Sequence, residues 1–244
     1  MGALFHHLGD LDRLGFQFLN SFSGRSPLVD FIIDRFDSDG LKGCALMITF
    51  GALWFQRDDN AARRRETLIL TLVSIAVALV VARLLADLLP LRQRPMYVAT
   101  IGYRKPLVEV GTSLENWSSF PSDNATLVFA VTTGVWLVSR VWGILWAVFA
   151  TATMIARVCV GIHYPGDVIA GALIGIAIAL AVIRSAFMQK RVAAPIMLAE
   201  HRVPAIFYSV LLIALFEVGT LFDFVRESVH EAGHVALMML RQGM

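Results

Sequence analysis

Residues 67–89 read TLILTLVSIAVALVVARLLADLL, an apolar run broken only by Arg83 and Asp87 and followed closely by Arg92-Gln93-Arg94-Pro95. Roughly 20 helical residues cross a hydrocarbon core of about 30 Å. The run therefore reads as a membrane-spanning helix with a cationic cluster at its end. Five more apolar segments flank it, at Leu41–Phe55, Ala125–Ser139, Val141–Val160, Val168–Ile183 and Pro204–Phe222. Together they predict an all-α fold, an integral membrane six-helix bundle forming one domain over 1–244. Within it, 1–40 is an interfacial N-terminal segment, 41–190 the core, and 191–244 the last transmembrane helix with a polar C-terminal helix.

Composition agrees with lipid as the solvent. Hydrophobic residues make up 57% of the chain and charged ones 16%, against about a quarter charged in soluble domains. A net charge of +2, with no basic run interleaved with aromatics, argues against nucleic acid as a partner. Cys44 and Cys159 both fall in apolar segments, so neither a disulfide framework nor a cysteine metal site is indicated. The N-terminus lacks a basic region followed by a short apolar core, so no signal peptide is expected. Instead Leu4, Phe5, Leu8, Leu11, Leu14, Phe18, Leu19 and Phe22 recur at helical spacing between polar residues. That pattern fits an amphipathic helix in the membrane interface, or equally a helix packed on the end of the bundle.

Arg63-Arg64-Arg65 precedes the 67–89 span, and Arg184, Lys190, Arg191 and Arg202 precede the last one. The positive-inside tendency makes both loops cytoplasmic. Alternation then brings three polar stretches to the outer face: Arg92–Pro95, Ser119-Phe120-Pro121-Ser122-Asp123-Asn124, and Arg157 with His163 and Asp167. Charges near membrane depth are costly and generally face a polar cavity, so four helix ends are expected to share one.

The chemistry of these residues suits a phosphate group. Arg94 and Arg157 offer planar forks for phosphoryl oxygens, with Arg92 beside them. The turn at Pro121-Ser122-Asp123 opens a helix whose free N–H groups, with the Ser122 hydroxyl, donate to the same oxygens. His163 is the candidate nucleophile, giving a phospho-histidine. Asp167 is expected to hold the other ring nitrogen, as the carboxylate of a catalytic triad does. No cofactor or metal is required, because the arginines supply positive charge.

Arg94-Pro95, Ser119-Phe120-Pro121-Ser122 and Arg157-x5-His163-x3-Asp167 resemble the three signatures of the type 2 phosphatidic acid phosphatase superfamily, which includes vanadium haloperoxidases. The resemblance covers roughly residues 20–190 and looks closest to bacterial undecaprenyl-diphosphate phosphatases. It implies a site that faces the periplasm or cell exterior from the bacterial cytoplasmic membrane. It also implies that Arg94, Ser122, Asp123 through its backbone and Arg157 cradle phosphate, that His163 attacks, and that Asp167 orients it. The chain departs from the pattern at three positions. Asp87 stands where the first signature usually has lysine, and Arg83, one turn earlier, is expected to pair with it at i, i+4. Ala156 replaces a common serine. Asn124 stands where the family has a histidine that protonates the leaving group.

Asparagine donates a hydrogen bond but transfers no proton, and general acid catalysis contributes about 10²–10⁴-fold. An alkoxide leaving group needs that proton, whereas a phosphate with a conjugate acid of pKa about 6 leaves with little help. The expected substrate is thus a polyprenyl or similar lipid diphosphate in preference to phosphatidate. Two alternatives stay open: a lipid-linked phosphotransferase with an acceptor other than water, and a weakly catalytic relative that binds lipid phosphates. The partners are the lipid substrate and membrane lipids, and the sequence is silent on oligomeric state.

Other features have plainer readings. His230-Glu231-Ala232-Gly233-His234 matches the HExxH zinc pattern, but no recognised third ligand follows, so a polar terminal helix without metal is expected. Tyr103-Arg104-Lys105 reads as a headgroup contact or a surface anchor. Glu217, a carboxylate in the last span, is expected to pair within the bundle.

Overall fold

A computed structural model describes residues 2–107 and 117–221, with side chains from residue 9 onward. The described residues are helical, without strands. The chain begins with α1 (Gly2–Asn20), α2 (Pro27–Asp37) and α3 (Asp39–Trp54). It continues through α4 (Ala61–Leu88), α5 (Asp123–Val138), α6 (Arg140–Val160) and α7 (Pro165–Arg184). A short α8 (Ala186–Met188) runs through a π-helical stretch, Gln189–Ala193, into α9 (Ala194–Arg202), and α10 is Pro204–Gly219. The HExxH stretch lies outside the described residues.

Each of the six expected apolar segments falls on a helix. Three of those helices, α4, α6 and α7, are long and apolar enough to cross a membrane, while α5 and α10 are shorter apolar helices. Their outward faces carry Val80, Leu84, Ile144, Leu145, Val148, Leu173, Val210 and Ile213, all exposed. A surface this apolar is unfavourable in water and ordinary against acyl chains. The chain is a multi-pass membrane protein.

The core gathers Leu46, Phe50, Leu53, Leu68, Ile75, Val128, Val131, Val135, Ala150 and Met154. The closest helix pairing is α5 on α7. A Cβ at Gly171 would collide with the Ser122 carbonyl, and one at Gly175 with the Thr126 carbonyl. Small residues that let backbones approach are the usual device for joining helices in lipid, where no hydrophobic drive separates one apolar face from another. At the far end, Arg64 and Arg65 donate to the C-terminal carbonyls of α3, Leu53 at 2.7 Å and Trp54 at 3.0 Å. Two of the three arginines read as a topology signal thus also cap a helix.

α1 settles against the signature end of α6 and α7. Phe16 is fully buried and meets Tyr164 edge to face, Gln17 donates to Ile101 O at 3.0 Å, and Asn20 donates to Cys159 O at 2.7 Å. Leu11, Leu14 and Phe18 point outward and are exposed. The helix anchors itself by polar side chains and presents apolar ones.

Glu217 is buried, and its Oε2 has no hydrogen-bond partner among the described residues, so the expected pairing is not formed at that atom. The Tyr103 hydroxyl donates to Val160 O at 3.0 Å, while Arg104 and Lys105 are exposed.

Candidate active site

Three backbone hydrogen bonds stitch the signature stretches together. Ser119 N–H donates to Arg92 O at 2.9 Å, Met96 N–H to Gly161 O at 2.9 Å, and Ser122 N–H to Asp167 O at 3.1 Å. Local chemistry sets up each stretch. Gly161 ends α6 at φ +90°, a conformation that suits glycine, with Ile162 N–H on Arg157 O at 3.2 Å and Gly161 N–H on Val158 O at 3.1 Å. This Schellman closure turns the chain so that His163 follows directly. Pro165 opens α7, and Ser122 caps α5 with its Oγ accepting from Ala125 N–H at 3.3 Å. The Phe120–Pro121 bond is cis.

His163 is buried, and its Nδ1 meets the Ser119 carbonyl at 2.9 Å. A carbonyl accepts only, so Nδ1 carries the hydrogen and Nε2 the lone pair. Asp167 stands at the same nitrogen and has further partners. Its Oδ2 lies 3.8 Å from Nδ1 and accepts Tyr164 N–H at 2.8 Å, while Oδ1 pairs with Arg92. The carboxylate closes the first turn of α7, and the tautomer is set by a backbone carbonyl. Burial holds the His163 imidazole below its ordinary range. Arg157 and Arg94 act in the same direction, and the Asp167 carboxylate opposes them.

The arginines divide into two kinds. Arg92 pairs with Asp12 of α1 and Asp167 of α7, and its guanidinium sits 4.2 Å from the Tyr164 ring centroid. Its charge is already matched, which is a clamp's environment more than a phosphate ligand's. Arg94 has no carboxylate within ion-pair distance among the described residues, donating instead to Ile162 O and Ser118 O at 3.2 and 3.3 Å. Burial, reinforced by neighbouring Arg157, lowers Arg94 to about 10. Arg157 pairs with Asp37 of α2 at 2.7 Å. The Nε atoms of Arg94 and Arg157, with Ser119 Oγ, are buried without hydrogen-bond partners among the described residues. Such unmet donors are costly unless a ligand meets them.

The expected Arg83–Asp87 pair is not formed. Arg83 pairs with Asp123 across to α5 and stacks 4.7 Å over the Trp117 ring. Its cation thus reaches the head of α5 instead of its own helix's next turn. Asn124 is buried, and its Oδ1 accepts from Lys42 Nζ, which also pairs with Asp39. Lys42 was not among the residues that the sequence singled out, although it is the one charged residue between Asp39 and Arg57.

The described residues hold no group of three or more histidine, cysteine or acidic side chains arranged for a metal ion. A cleft of ≈ 1350 Å³ lies at the opposite end of the bundle around Arg63, Arg184 and His201. A smaller one, ≈ 580 Å³, is lined by Arg13, Arg92, Gln93, Val98 and Tyr164, beside the signature residues. The smaller reaches the signature residues through Arg92 and Tyr164.

Residues 67–191, half of the chain, match the family model of the PAP2 superfamily. The chain belongs to this superfamily. It is 37% identical over 112 residues to the bacitracin transport permease protein BcrC of Bacillus licheniformis, covering 46% of this chain and 53% of that one. The chain thus spans about half the length of this curated relative. It is 27% identical over 170 residues to the lipid A 1-diphosphate synthase of Escherichia coli K12, covering 68% of this chain and 71% of the relative. No solved structure matches significantly. The PAP2 match contains all three signatures, whereas Asp12, Asp37 and Lys42 come from α1, α2 and α3, outside it.

Proposed function

We propose that this PAP2 protein cleaves a polyprenyl-type lipid diphosphate or a related lipid phosphate at the outer membrane face through phospho-His163. The observation that carries the reading is the pair of arginines, Arg94 buried and Arg157 partly buried, with buried, unmet Nε donors beside an imidazole whose Nε2 is the free nucleophilic nitrogen. Two repelling guanidinium groups kept together at a buried site are stabilised when a phosphate dianion lies between them. His163 Nε2 attacks phosphorus and the bond to the leaving oxygen breaks. Ser122 and the open N-terminus of α5 receive the phosphoryl oxygens. Water then attacks phosphorus, the phosphorus–nitrogen bond breaks back to His163 Nε2, and phosphate is released. The alkyl tail stays in lipid, which explains a phosphate site built at the ends of apolar helices.

The relative named as a diphosphate synthase favours one second reading, in which a lipid phosphate replaces water as the acceptor of the phosphoryl group. Both readings require the covalent histidine. Brief incubation of the purified protein with a lipid diphosphate labelled on its terminal phosphorus is expected to leave acid-labile, base-stable label on the chain. His163→Ala is expected to lose the label and the turnover. Undiminished turnover by this variant refutes the covalent reading. Free phosphate as the labelled product supports hydrolysis, and label in a second lipid supports transfer.

A further inference from the structure

Cleaving an alkyl phosphate leaves an oxygen that needs a proton, and the groups around His163 differ sharply in their ability to give one. Arginine holds its protons too tightly. Asn124 has no transferable proton, His163 is spent as the nucleophile, and Asp123, Asp167 and Asp37 are each paired with a cation. Lys42 remains. Its side chain is 2% exposed, its ammonium contacts Asn124 Oδ1 at the head of α5, and Asp39 balances its charge. Asp39, the partner of Lys42, stands two residues from Asp37, the partner of Arg157, so the two ion pairs adjoin along the chain. A buried lysine in the first turn of a helix that carries no charge beyond it is expensive and calls for a functional reason.

We propose that Lys42 is the proton donor to the leaving oxygen, acting beside Asn124. The inference rests on the phospho-His163 reading. As Nε2 forms its bond to phosphorus, the phosphorus–oxygen bond breaks and its electron pair goes to the departing oxygen. That oxygen takes a proton from the Lys42 ammonium and leaves as an alcohol, with Lys42 now a neutral amine. In the second step the attacking water gives a proton to this amine, the phosphorus–nitrogen bond breaks toward His163, and the ammonium is restored. Because Lys42 occupies Asn124 Oδ1, the carboxamide keeps its Nδ2 hydrogens for another acceptor. The device removes the restriction to good leaving groups that Asn124 alone imposes, so simple lipid monophosphates become substrates.

The test uses the full chain in detergent with two substrates of one tail. Dodecyl phosphate expels an alkoxide and dodecyl diphosphate expels a phosphate. Lys42→Met is expected to lower kcat/KM on the monophosphate by about 10²–10⁴-fold, and on the diphosphate by less than about tenfold. Lys42→Arg keeps the charge but not the transferable proton and is expected to show the same split, which keeps the test alive should the methionine variant fail to fold. Adding Asn124→His to Lys42→Met is expected to recover monophosphate cleavage, since imidazole transfers a proton from that position. Equal losses on both substrates, or no loss, overturn the assignment and leave the covalent reading intact. So does an unaltered chain that cleaves only the diphosphate. Turnover that survives His163→Ala overturns the covalent reading instead, and with it the step that Lys42 would serve.

Discussion

In the proposed reaction His163 attacks phosphorus only as a neutral imidazole, and its surroundings decide where that form prevails. Burial and the two arginines push its pKa down, against the pull of Asp167. The neutral form therefore persists to more acid pH than for a free histidine, whose ordinary value is about 6.5. The acid limb of kcat/KM is expected below that value. Asp167→Asn removes the one influence that favours the charged ring, so the limb moves to still lower pH. A limb above 6.5 in the unaltered chain, or an upward shift in the variant, contradicts this assignment. At this scale the signatures were legible in the sequence because each is local: Arg157, His163 and Asp167 hold their spacing within 11 residues of chain. Their partners were not. Lys42 meets Asn124 across 82 positions, and Asp12 meets Gly166 across 154. The i, i+4 rule chose Asp87 for Arg83, but Asp123 on a neighbouring helix took it. A solvated helical pair is worth only tenths of a kcal/mol, too little to hold an arginine against a partner at the site.

The elements assemble the site through close approach of backbones, and α5 against α7 is the joint on which it depends. The apolar run of each helix was readable, but not which carbonyls its glycines face. Gly175 lies on the Thr126 carbonyl and Gly171 on the Ser122 carbonyl, one turn from the Ser122 N–H···Asp167 bond that joins the second and third signatures. Backbone atoms cannot swing aside as a side chain does. Gly175→Ala is expected to cost about 1–3 kcal/mol, the usual range for overpacking, and to lower activity by separating Ser122 from Asp167. Gly51 on α3 has open space where a Cβ would go, so Gly51→Ala is the matched control. Thermal unfolding of the two variants in detergent checks the difference, and similar melting temperatures would remove α5–α7 contact as the reason for glycine at 175. The helices α2 and α8 to α9 escaped the sequence reading for a plain reason. They are short or lack an unbroken apolar run, and tertiary contacts such as Asp37 with Arg157 and Glu200 with Arg65 tie two of them down.

The whole molecule is polarised along its helix axes. One end holds the three signatures, α1 and the paired and unpaired arginines. The other holds Arg63, Arg64, Arg184 and His201 around the larger cleft. α1 reinforces the polarity, since Asp12, Gln17 and Asn20 bind the bundle while Leu11, Leu14 and Phe18 face outward. An apolar outer face on a helix at the bundle's end is favourable when it lies among acyl chains at the interface. The positive-inside argument assigns the arginine-rich end to the cytoplasm, yet Arg64 and Arg65 have separate work in capping α3. Arg63, Arg184, Lys190 and Arg191 then bear most of the topological signal, enough to orient short loops. Single cysteines on a Cys44→Ser, Cys159→Ala background test the orientation directly. Arg25→Cys lies in the exposed turn between α1 and α2 at the signature end, and Asp59→Cys in the exposed turn between α3 and α4 at the other. In intact bacterial spheroplasts a membrane-impermeant maleimide is expected to label position 25 and to reach position 59 only after lysis. Labelling in the reverse order would turn the site to the cytoplasm, and the lipid phosphate it meets would then have to be one exposed on the inner leaflet.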